Sequence, residues 1–310
     1  MPSRKSKKKP KVVVVGGYHA DLLVHTKQLP LPDKTCLGSR LQVHGGGRGA
    51  NCAVAAARAG CSVTFVGAVG IDAFGSMAKG LLSQEGIDLS YLNEVEGIGT
   101  GVTVGIGESD VIPKLLVMTD SANQRISEDM VNAAKAAISK AELVIVEMEI
   151  RHETVWFTMD LANAMNVPLL LDAGSASSLR SIPAKPVFVL VAGLAEALES
   201  TRTDTAEEAT EVLREAGCSY VALLDGVTDV IFSDGQNSVR RHAEVRGAVD
   251  RYGAHECMEV WLALSLLCGN SLSEAADHAI EGMAYCLRTI GGLSAIPHTR
   301  RFAEAEGSSA

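Results

Sequence analysis

Aromatic side chains are scarce in this chain, since Phe, Trp and Tyr make up only 4% of its 310 residues although 47% are hydrophobic. A composition dominated by alanine, valine, leucine and glycine favours helices packed on a parallel sheet over a β-sandwich. Long apolar runs are also missing, because "VVVV" near the start leads directly into "GG". The sequence therefore predicts no signal peptide, no membrane span and no membrane partner.

Cysteine pairs of the C-x-x-C type are absent. The chain has seven cysteines, an odd number, and most of them stand in apolar surroundings. A cysteine in such surroundings behaves as a small buried hydrophobe. The pattern predicts free thiols in a reducing cytoplasm and no zinc site.

Basic residues are few outside the first eleven positions. The segment 1–11, "MPSRKSKKKPK", holds six Lys or Arg and no acid, and the rest of the chain has 22 basic against 37 acidic side chains. So acidic a body repels nucleic-acid phosphates and excludes nucleic acid as its partner. We interpret 1–11 as a disordered basic tail, 12–304 as a single domain and 305–310 as a flexible C-terminus.

Short apolar runs recur along the chain with helical patterns between them. Such a succession predicts an α/β fold, in which right-handed crossovers build a central, mostly parallel sheet flanked by helices. The predicted strands are 11–17, 62–70, 141–149, 167–174, 186–193 and 219–226. Ligands of such folds bind beyond the C-terminal ends of the strands.

Two stretches interrupt this succession. Residues 25–45 and 99–120 are rich in Thr, Val, Gly and Pro, with partial alternation and turn signals. They predict short antiparallel strands inserted between the main units. Together these strands would form a small β lid over the C-terminal edge of the sheet.

A glycine-rich turn precedes the first predicted helix. The sequence "GGGRGANCAVAAARAG" spans 45–60, so the chain can approach a ligand closely and aim helix amides at it. Asn51 adds a donor and an acceptor at the helix start. The turn is not a Walker motif and lacks the G-x-G-x-x-G register, so it predicts no dinucleotide site.

The segments "GGRGANCAVAAARAG" and "VGAVGIDAFG" together resemble the N-terminal signature of the ribokinase-like, or PfkB, carbohydrate kinases, and ribokinase most of all. The similarity continues through "VEMEIRHETV" and "GGLSAIPHTRRF", over nearly the whole chain after the tail. It implies the ribokinase-like fold and ATP-dependent phosphorylation of a ribose-like sugar, with Mg²⁺ as cofactor.

The resemblance assigns a sugar site residue by residue. Asp21 matches an aspartate that hydrogen-bonds sugar hydroxyls, and Glu149 matches an acid that contacts the sugar from the sheet edge. Gly46, Gly47 and Asn51 match the sugar-binding turn. Carboxylates and an amide can accept from vicinal hydroxyls while glycines leave room for the ring, so the set suits a sugar or a nucleoside.

Two members of this site depart from the family. His19 stands where ribokinases commonly carry asparagine, and Arg48 stands where they carry lysine. Arginine is a bulkier planar cation than lysine. These substitutions leave the identity of the sugar open.

The second family signature ends in Gly-Ala-Gly-Asp at a helix start, where amides form an anion hole and the aspartate is the base. The matching residues are Gly253, Ala254, His255 and Glu256. If position 255 requires a positive φ, its side chain costs about 1 kcal/mol. Glu256 keeps a carboxylate, lengthened by one methylene, and is chemically competent as a base.

Other nucleotide-side positions have changed as well. The family's Pro-Asn-Glu-x-Glu segment, which helps to place magnesium and phosphates, corresponds to 191–195, "VAGLA", without a polar side chain. A Thr-Leu-Gly beneath the nucleotide ends here at Asp225, followed by Gly226, and a carboxylate there repels a triphosphate unless a cation intervenes. Asp250 matches a position associated with a monovalent cation such as K⁺.

The sequence leaves two functional hypotheses. One is a sugar kinase, weakened by these changes, with Glu256 as base and the amides of 253–256 as anion hole. The other is a catalytically inactive pseudokinase that binds a sugar or nucleoside as a sensor or partner subunit. A less favoured third idea joins His255, Glu256 and His19 in a new acid-base or metal site. The family often pairs subunits through the lid, so we also expect a homodimer.

Overall fold

The computed structural model describes residues 9–108, 115–174, 184–245, 251–289 and 291–299. Most of the predicted tail, the predicted flexible C-terminus and Asp250 lie outside these ranges. Lys11, the last residue of the predicted tail, already begins the first strand. No helix within the described ranges is long and apolar enough to cross a membrane.

Thirteen strands occur in the described ranges. They are β1 (Lys11–Val15), β2 (His19–Thr26), β3 (Gly38–Gly46), β4 (Ser62–Gly70), β5 (Asp88–Val95), β6 (Gly101–Gly107), β7 (Leu115–Met118), β8 (Leu143–Glu147), β9 (Leu169–Gly174), β10 (Val187–Gly193), β11 (Cys218–Asp225), β12 (Asp229–Ser233) and β13 (Ser238–His242).

Ten α-helices accompany them in the same ranges. They are α1 (Arg48–Arg58), α2 (Ala73–Gln84), α3 (Glu128–Ala133), α4 (Lys135–Ile138), α5 (His152–Ala164), α6 (Leu194–Thr201), α7 (Ala206–Glu215), α8 (Ala254–Leu267), α9 (Leu272–Leu287) and α10 (Gly292–Ala295).

Nine strands form the large sheet, in the order β13-β12-β11-β10-β9-β8-β1-β4-β5. Its pairs from β5 to β11 are parallel, and β12 and β13 add an antiparallel edge. The valines of β1 show why the sheet needs cover on both faces. Val12 and Val14 pack in a core with α1, α2, α8 and α9, whereas Val13 and Val15 pack in a core with α3 to α7. Successive side chains of a strand point to opposite faces, so a continuous apolar run requires helices on each side.

The four remaining strands form a small sheet, here called the lid, in the order β3-β2-β6-β7. The predicted segments 25–45 and 99–120 contain β6, β7 and most of β3, but β2 begins six residues before the first segment, at His19. The prediction of purely antiparallel pairing was wrong, since β2 and β6 run parallel. Those two strands are joined through elements of the large sheet, and such a long crossover permits parallel pairing.

The glycine-rich turn connects the end of β3 to the start of α1 and packs against the residues that follow β1. Helix α1 begins at Arg48, two residues before the helix that the apolar pattern predicts for 50–60, because Gly47 supplies its N-cap with a φ of 91°. A Cβ at Gly47 would lie 2.7 Å from the backbone nitrogen of His19. Only glycine fits both the conformation and the space, so the start of α1 packs directly against the start of the lid.

Candidate active site

A cavity of about 620 Å³ lies between the lid and the C-terminal edge of the large sheet. Its walls come from β2, β6 and β7 of the lid, the N-termini of α1, α6 and α8, and the ends of several parallel strands. Eleven of the sequence-predicted site residues line it. They are His19, Asp21, Gly47, Arg48, Asn51, Glu149, Asp225, Gly226, Gly253, His255 and Glu256.

Asp21 brings a carboxylate from the lid into this cavity. It is buried on β2 and opposite the last residues of β3. A Cβ at Gly46 would lie 2.0 Å from Asp21 Oδ2. Gly46 does not line the cavity itself. Because Gly46 has no side chain, the space beside it is free for the Asp21 carboxylate.

Asn51 and His19 add polar groups beside Asp21. Both are buried, and Asn51 Oδ1 has no hydrogen-bond partner among the described residues. An unpaired buried amide oxygen is costly unless a ligand satisfies it. Burial lowers the pKa of His19 to about 4, so its imidazole is neutral at pH 7 and can both donate and accept.

Arg48 forms a bidentate ion pair with Asp172, a residue that the sequence interpretation missed. Nε donates to Asp172 Oδ2 at 2.6 Å, and a terminal guanidinium nitrogen donates to Oδ1. The Asp172 side chain is fully buried at the end of β9, whereas Arg48 is 18% exposed at the cavity wall. Burial raises the pKa of the neighbouring Glu149, and Arg48 opposes that rise. The guanidinium of Arg48 thus lies close to the carboxyl groups of Asp172 and Glu149 at the base of the cavity.

Glu147 is a second acid that the sequence interpretation missed. It is fully buried, and its carboxylate accepts hydrogen bonds from the backbone N–H of Gly17, at 2.8 Å, and of Glu149. Burial and the Glu149 charge raise its pKa. These contacts fix the turn after β1 against the end of β8. A search for polar residues at strand ends would have found the pair, because Glu147 and Asp172 are register partners on β8 and β9.

The N-terminus of α8 faces the cavity as the resemblance implies. Gly253 is its N-cap with a φ of 79°, and Ala254, buried behind the wall, is the first helical residue. The amide of Ala254 donates to the Arg251 carbonyl. First-turn amides have no carbonyl partner within a helix, so those of His255 and Glu256 present donors and a positive dipole end to an anion.

His255 is accommodated without backbone strain. The positive φ belongs to Gly253, and His255 is helical, so the expected cost of a side chain at a left-handed position does not arise. Burial, followed by the charge of Arg48, lowers its pKa to about 4. Nε2 has no partner among the described residues. A neutral ring therefore presents one unpaired nitrogen beside the anion-binding amides.

Glu256 lies at the third helical position of α8, is buried and lines the cavity. Burial raises its pKa from 4.5 to about 7, while the positive charge of Arg48 acts in the opposite direction. A carboxylate with a pKa near the operating pH is suited to accept a proton from a substrate and release it again.

The nucleotide side is less changed than the sequence suggested. The segment 191–195 has no polar side chain, but Glu196, one residue further on, lines the cavity in the first turn of α6. Asp225 ends β11 and pairs with Arg240 Nη1 at 2.8 Å. Asp225 is thus paired with a cation from β13, which offsets the negative charge that the sequence places at this position.

One predicted arrangement does not form. Over the described ranges, His19, His255 and Glu256 do not come close enough together to share a metal ion. His255 and Glu256 lie together in the first turn of α8, whereas His19 lies on β2 of the lid, so the three residues do not form a metal centre.

A central parallel sheet, a β lid over its C-terminal edge and a helix N-terminus beside a buried carboxylate define a small-molecule kinase architecture. Residues 9–299 match the model of the pfkB family carbohydrate kinases. The chain belongs to this family, and the predicted ribokinase-like fold is confirmed.

Individual ribokinases resemble this chain over nearly its whole length. The chain is 27% identical over 293 residues to the ribokinase of Haemophilus influenzae, covering 92% of this chain and 95% of that protein. It is 28% identical over 299 residues to the ribokinase of Mus musculus, covering 93% and 92%. The solved structure of the Arabidopsis thaliana ribokinase, complexed with ribose and ATP, superposes with a TM-score of 0.83 at 23% identity, covering 97% of this chain and 100% of that one.

Proposed function

We propose that this protein transfers the γ-phosphoryl group of ATP to a hydroxyl of a ribose-like sugar. The observation that carries the proposal is the position of Glu256, a buried carboxylate whose pKa is raised to about 7, in one cavity with Asp21 and Asn51. A base, sugar-binding groups and anion-binding amides thus share one cavity. The relatives named ribokinase support the choice of sugar.

Glu256 acts as the base in this mechanism. Asp21 and Asn51 hold the sugar so that one hydroxyl points to Glu256, which accepts its proton. The hydroxyl oxygen then bonds to the γ-phosphorus while the bond to the bridging oxygen breaks, and ADP leaves with that electron pair. The amides of His255 and Glu256 stabilise the negative charge of the transferring group.

The nucleotide would lie along the wall formed by α6 and the end of β11. Glu196 offers a carboxylate oxygen, a ligand type that Mg²⁺ prefers. Mg²⁺ bound there would supply positive charge to the ATP phosphates. Gly226, with a φ of 74° and no atom within 4 Å of a Cβ built on it, leaves room beside Asp225. The K⁺ site at Asp250 stays a prediction.

The geometry gives little support to a catalytically inactive protein. Two of the sequence changes that favoured an inactive protein no longer argue for it, because the backbone of His255 is unstrained and Arg240 forms an ion pair with Asp225. Glu196 places a carboxylate in the cavity wall formed by α6, although the preceding segment 191–195 has no acidic side chain.

The proposal is tested by measuring ADP release from ATP and Mg²⁺ with and without ribose. Sugar-dependent release that is lost in Glu256→Gln is expected. Glu94→Gln, an exposed substitution on β5, serves as the matched control and should leave the rate unchanged. Ribose binding without any ribose-dependent ADP release would rule the kinase out.

We further propose a homodimer formed through the outer face of the lid. Asp21, Thr103 and Met118 are register neighbours that face the cavity, so the alternate residues point away from it. That outer face is apolar, and four of its side chains are between 44% and 64% exposed: Leu41, Val43, Leu115 and Val117. Contiguous exposed apolar surface marks an interaction site, and a second copy of the same face is a matching partner.

A further inference from the structure

Three buried side chains from distant parts of the chain meet beneath the cavity floor. Cys52 of α1, Asp172 of β9 and Glu259 of α8 each present a potential ligand atom, and these atoms lie within 4.8 Å of one another. Cys52, Asp172 and Glu259 are all 0% exposed, and none of them lines the cavity. The cluster is therefore separate from the sugar and nucleotide walls described above.

The carboxyl group of Glu259 is incompletely satisfied. Its Oε1 accepts a hydrogen bond from Cys52 Sγ at 2.9 Å, but Oε2 is buried and has no partner among the described residues. A buried carboxyl oxygen without a partner carries the full cost of its desolvation. Since this oxygen belongs to a group in the cluster, a ligand bound there would satisfy it.

Burial raises the pKa of the Cys52 thiol and of the Glu259 carboxyl and so favours their neutral forms, which means that their ionisation requires a bound cation. Asp172 and Glu256 act on Glu259 as negative groups, and Arg48 is the cation that acts on it. With Cys52 as thiolate and Asp172 and Glu259 ionised, the three ligands carry three negative charges and Arg48 one positive. A divalent cation would bring that sum to zero. Buried charges persist only when they are paired or coordinate a metal.

We propose that Cys52, Asp172 and Glu259 form a buried binding site for a thiophilic divalent cation of the Zn²⁺ class. A thiolate with two carboxylates selects Zn²⁺ or Co²⁺ over Mg²⁺ and Ca²⁺, which prefer oxygen ligands alone. Asp172 can bind a metal through Oδ2 without releasing Arg48, because within the described ranges Oδ2 accepts only one hydrogen bond, whereas Oδ1 accepts two, from Arg48 and from the Gly174 backbone. The cysteine spacing predicted no zinc site, and it could not reveal this one, since the ligands Cys52 and Glu259 are 207 positions apart.

The cation would tie together the three elements that carry the active site. Helix α1 bears Arg48 and Asn51, β9 bears the partner of Arg48, and α8 bears Glu256. A ligand that binds the folded state alone raises its stability by mass action. The proposed site is thus structural and does not depend on the proposed kinase activity.

The experiment is a Co²⁺ and Zn²⁺ titration of the full chain after treatment with a chelator, in the presence of millimolar Mg²⁺. We expect one Co²⁺ per chain with a near-ultraviolet thiolate-to-cobalt band, and a rise in melting temperature with Zn²⁺. Cys52→Ala and Glu259→Gln should each lower the Zn²⁺ affinity by about 100-fold or more, since even partners of ligands are worth 10–100-fold. Glu259→Gln is nearly isosteric, so it decides the matter if Cys52→Ala fails to fold.

The matched control removes the two exposed thiols, Cys36 and Cys268. The double variant Cys36→Ala, Cys268→Ala should bind Co²⁺ like the wild type. The proposal is overturned if the wild type shows no thiolate band, if the band disappears in this double variant, if it survives in Cys52→Ala, or if Mg²⁺ displaces the ion.

Discussion

Arg48 donates two hydrogen bonds to Asp172, which lies 124 residues further along the chain. The pair joins the start of α1 to the end of β9 at the floor of the cavity. It explains why arginine rather than lysine occupies position 48, because a guanidinium binds a carboxylate through two parallel bonds and an ammonium does not. The same guanidinium reduces the pKa rise that burial imposes on Glu256.

Breaking this pair should be far more costly than breaking an exposed one. Arg48→Ala leaves the Asp172 carboxylate buried without its cation, and we expect a loss of about 3–5 kcal/mol in the free energy of unfolding. Arg240→Ala removes the exposed partner of Asp225 and should cost at most about 1 kcal/mol. Chemical denaturation of both variants measures the contrast, and equal losses would contradict it.

Glu256 should determine how the catalytic rate depends on pH. Because its pKa is raised to about 7, the carboxylate is mostly protonated below that pH and becomes a competent base above it. We expect kcat/KM for ribose to rise as the pH increases through about 7. Glu256→Gln should lower the rate by about 10²–10⁴-fold, and Glu256→Asp should keep a measurable rate. A flat pH profile in the wild type would argue against this base.

The stability of the fold should fall as the pH rises from 6.5 to 8. The pKa of Glu256, raised from 4.5 to about 7, and the raised pKa of Glu147 mean that the folded state holds more protons than the unfolded chain in this window. Their stabilising contribution is complete below the unfolded pKa and is lost as the pH rises through the folded value. His19 and His255, whose pKa values are lowered from 6.5 to about 4, act in the opposite direction, and their contribution fades as the pH rises above 6.5.

Melting temperatures across that window test this dependence. Glu147→Gln should flatten the decline, because a neutral amide has no proton to lose. Glu94→Gln on the surface should leave the slope as it is in the wild type. A decline of the same steepness in Glu147→Gln would show that this carboxyl is not responsible.

Gly46 should be sensitive to the smallest substitution. A Cβ there would lie 2.0 Å from Asp21 Oδ2, so Gly46→Ala must displace the carboxylate that we assign to the sugar. We expect a raised KM for ribose with little change in the KM for ATP. Gly80→Ala is the matched control, because nothing lies within 4 Å of a Cβ there and the residue is inside α2. It should leave both constants unchanged and stabilise the protein by up to about 1 kcal/mol.

The fold could be predicted from the sequence because the patterns that indicate its main strands and helices are local. The strand predicted for 62–70 matches β4 in full, since apolar runs bounded by glycines and covered on both faces leave little ambiguity. The glycine-rich turn likewise predicted where α1 begins. The parallel pairing of β2 with β6 was not predictable, because it depends on how a long connection returns to the lid.

The site residues could be predicted from the sequence only where they match a family motif. Asp21, Asn51 and Glu256 follow the family signatures, and all three line the cavity. Asp172 and Glu147 match no family signature; their position as polar residues near strand ends was visible in the sequence, but their contacts follow only from strand register and burial. Glu196 was missed because the compared segment stopped one residue short of it.

The outer face of the lid should control the oligomeric state. Val117 is 64% exposed on β7 and points away from the cavity, within the apolar surface that we assign to a second copy. Val117→Lys places a charge in that surface, so burying it in an interface becomes unfavourable. Sedimentation analysis should find a dimer in the wild type and a monomer in this variant. Val212→Lys, at a 39% exposed position on α7, should remain a dimer. A wild-type protein that is monomeric at high concentration would contradict the assignment of this face to a second copy.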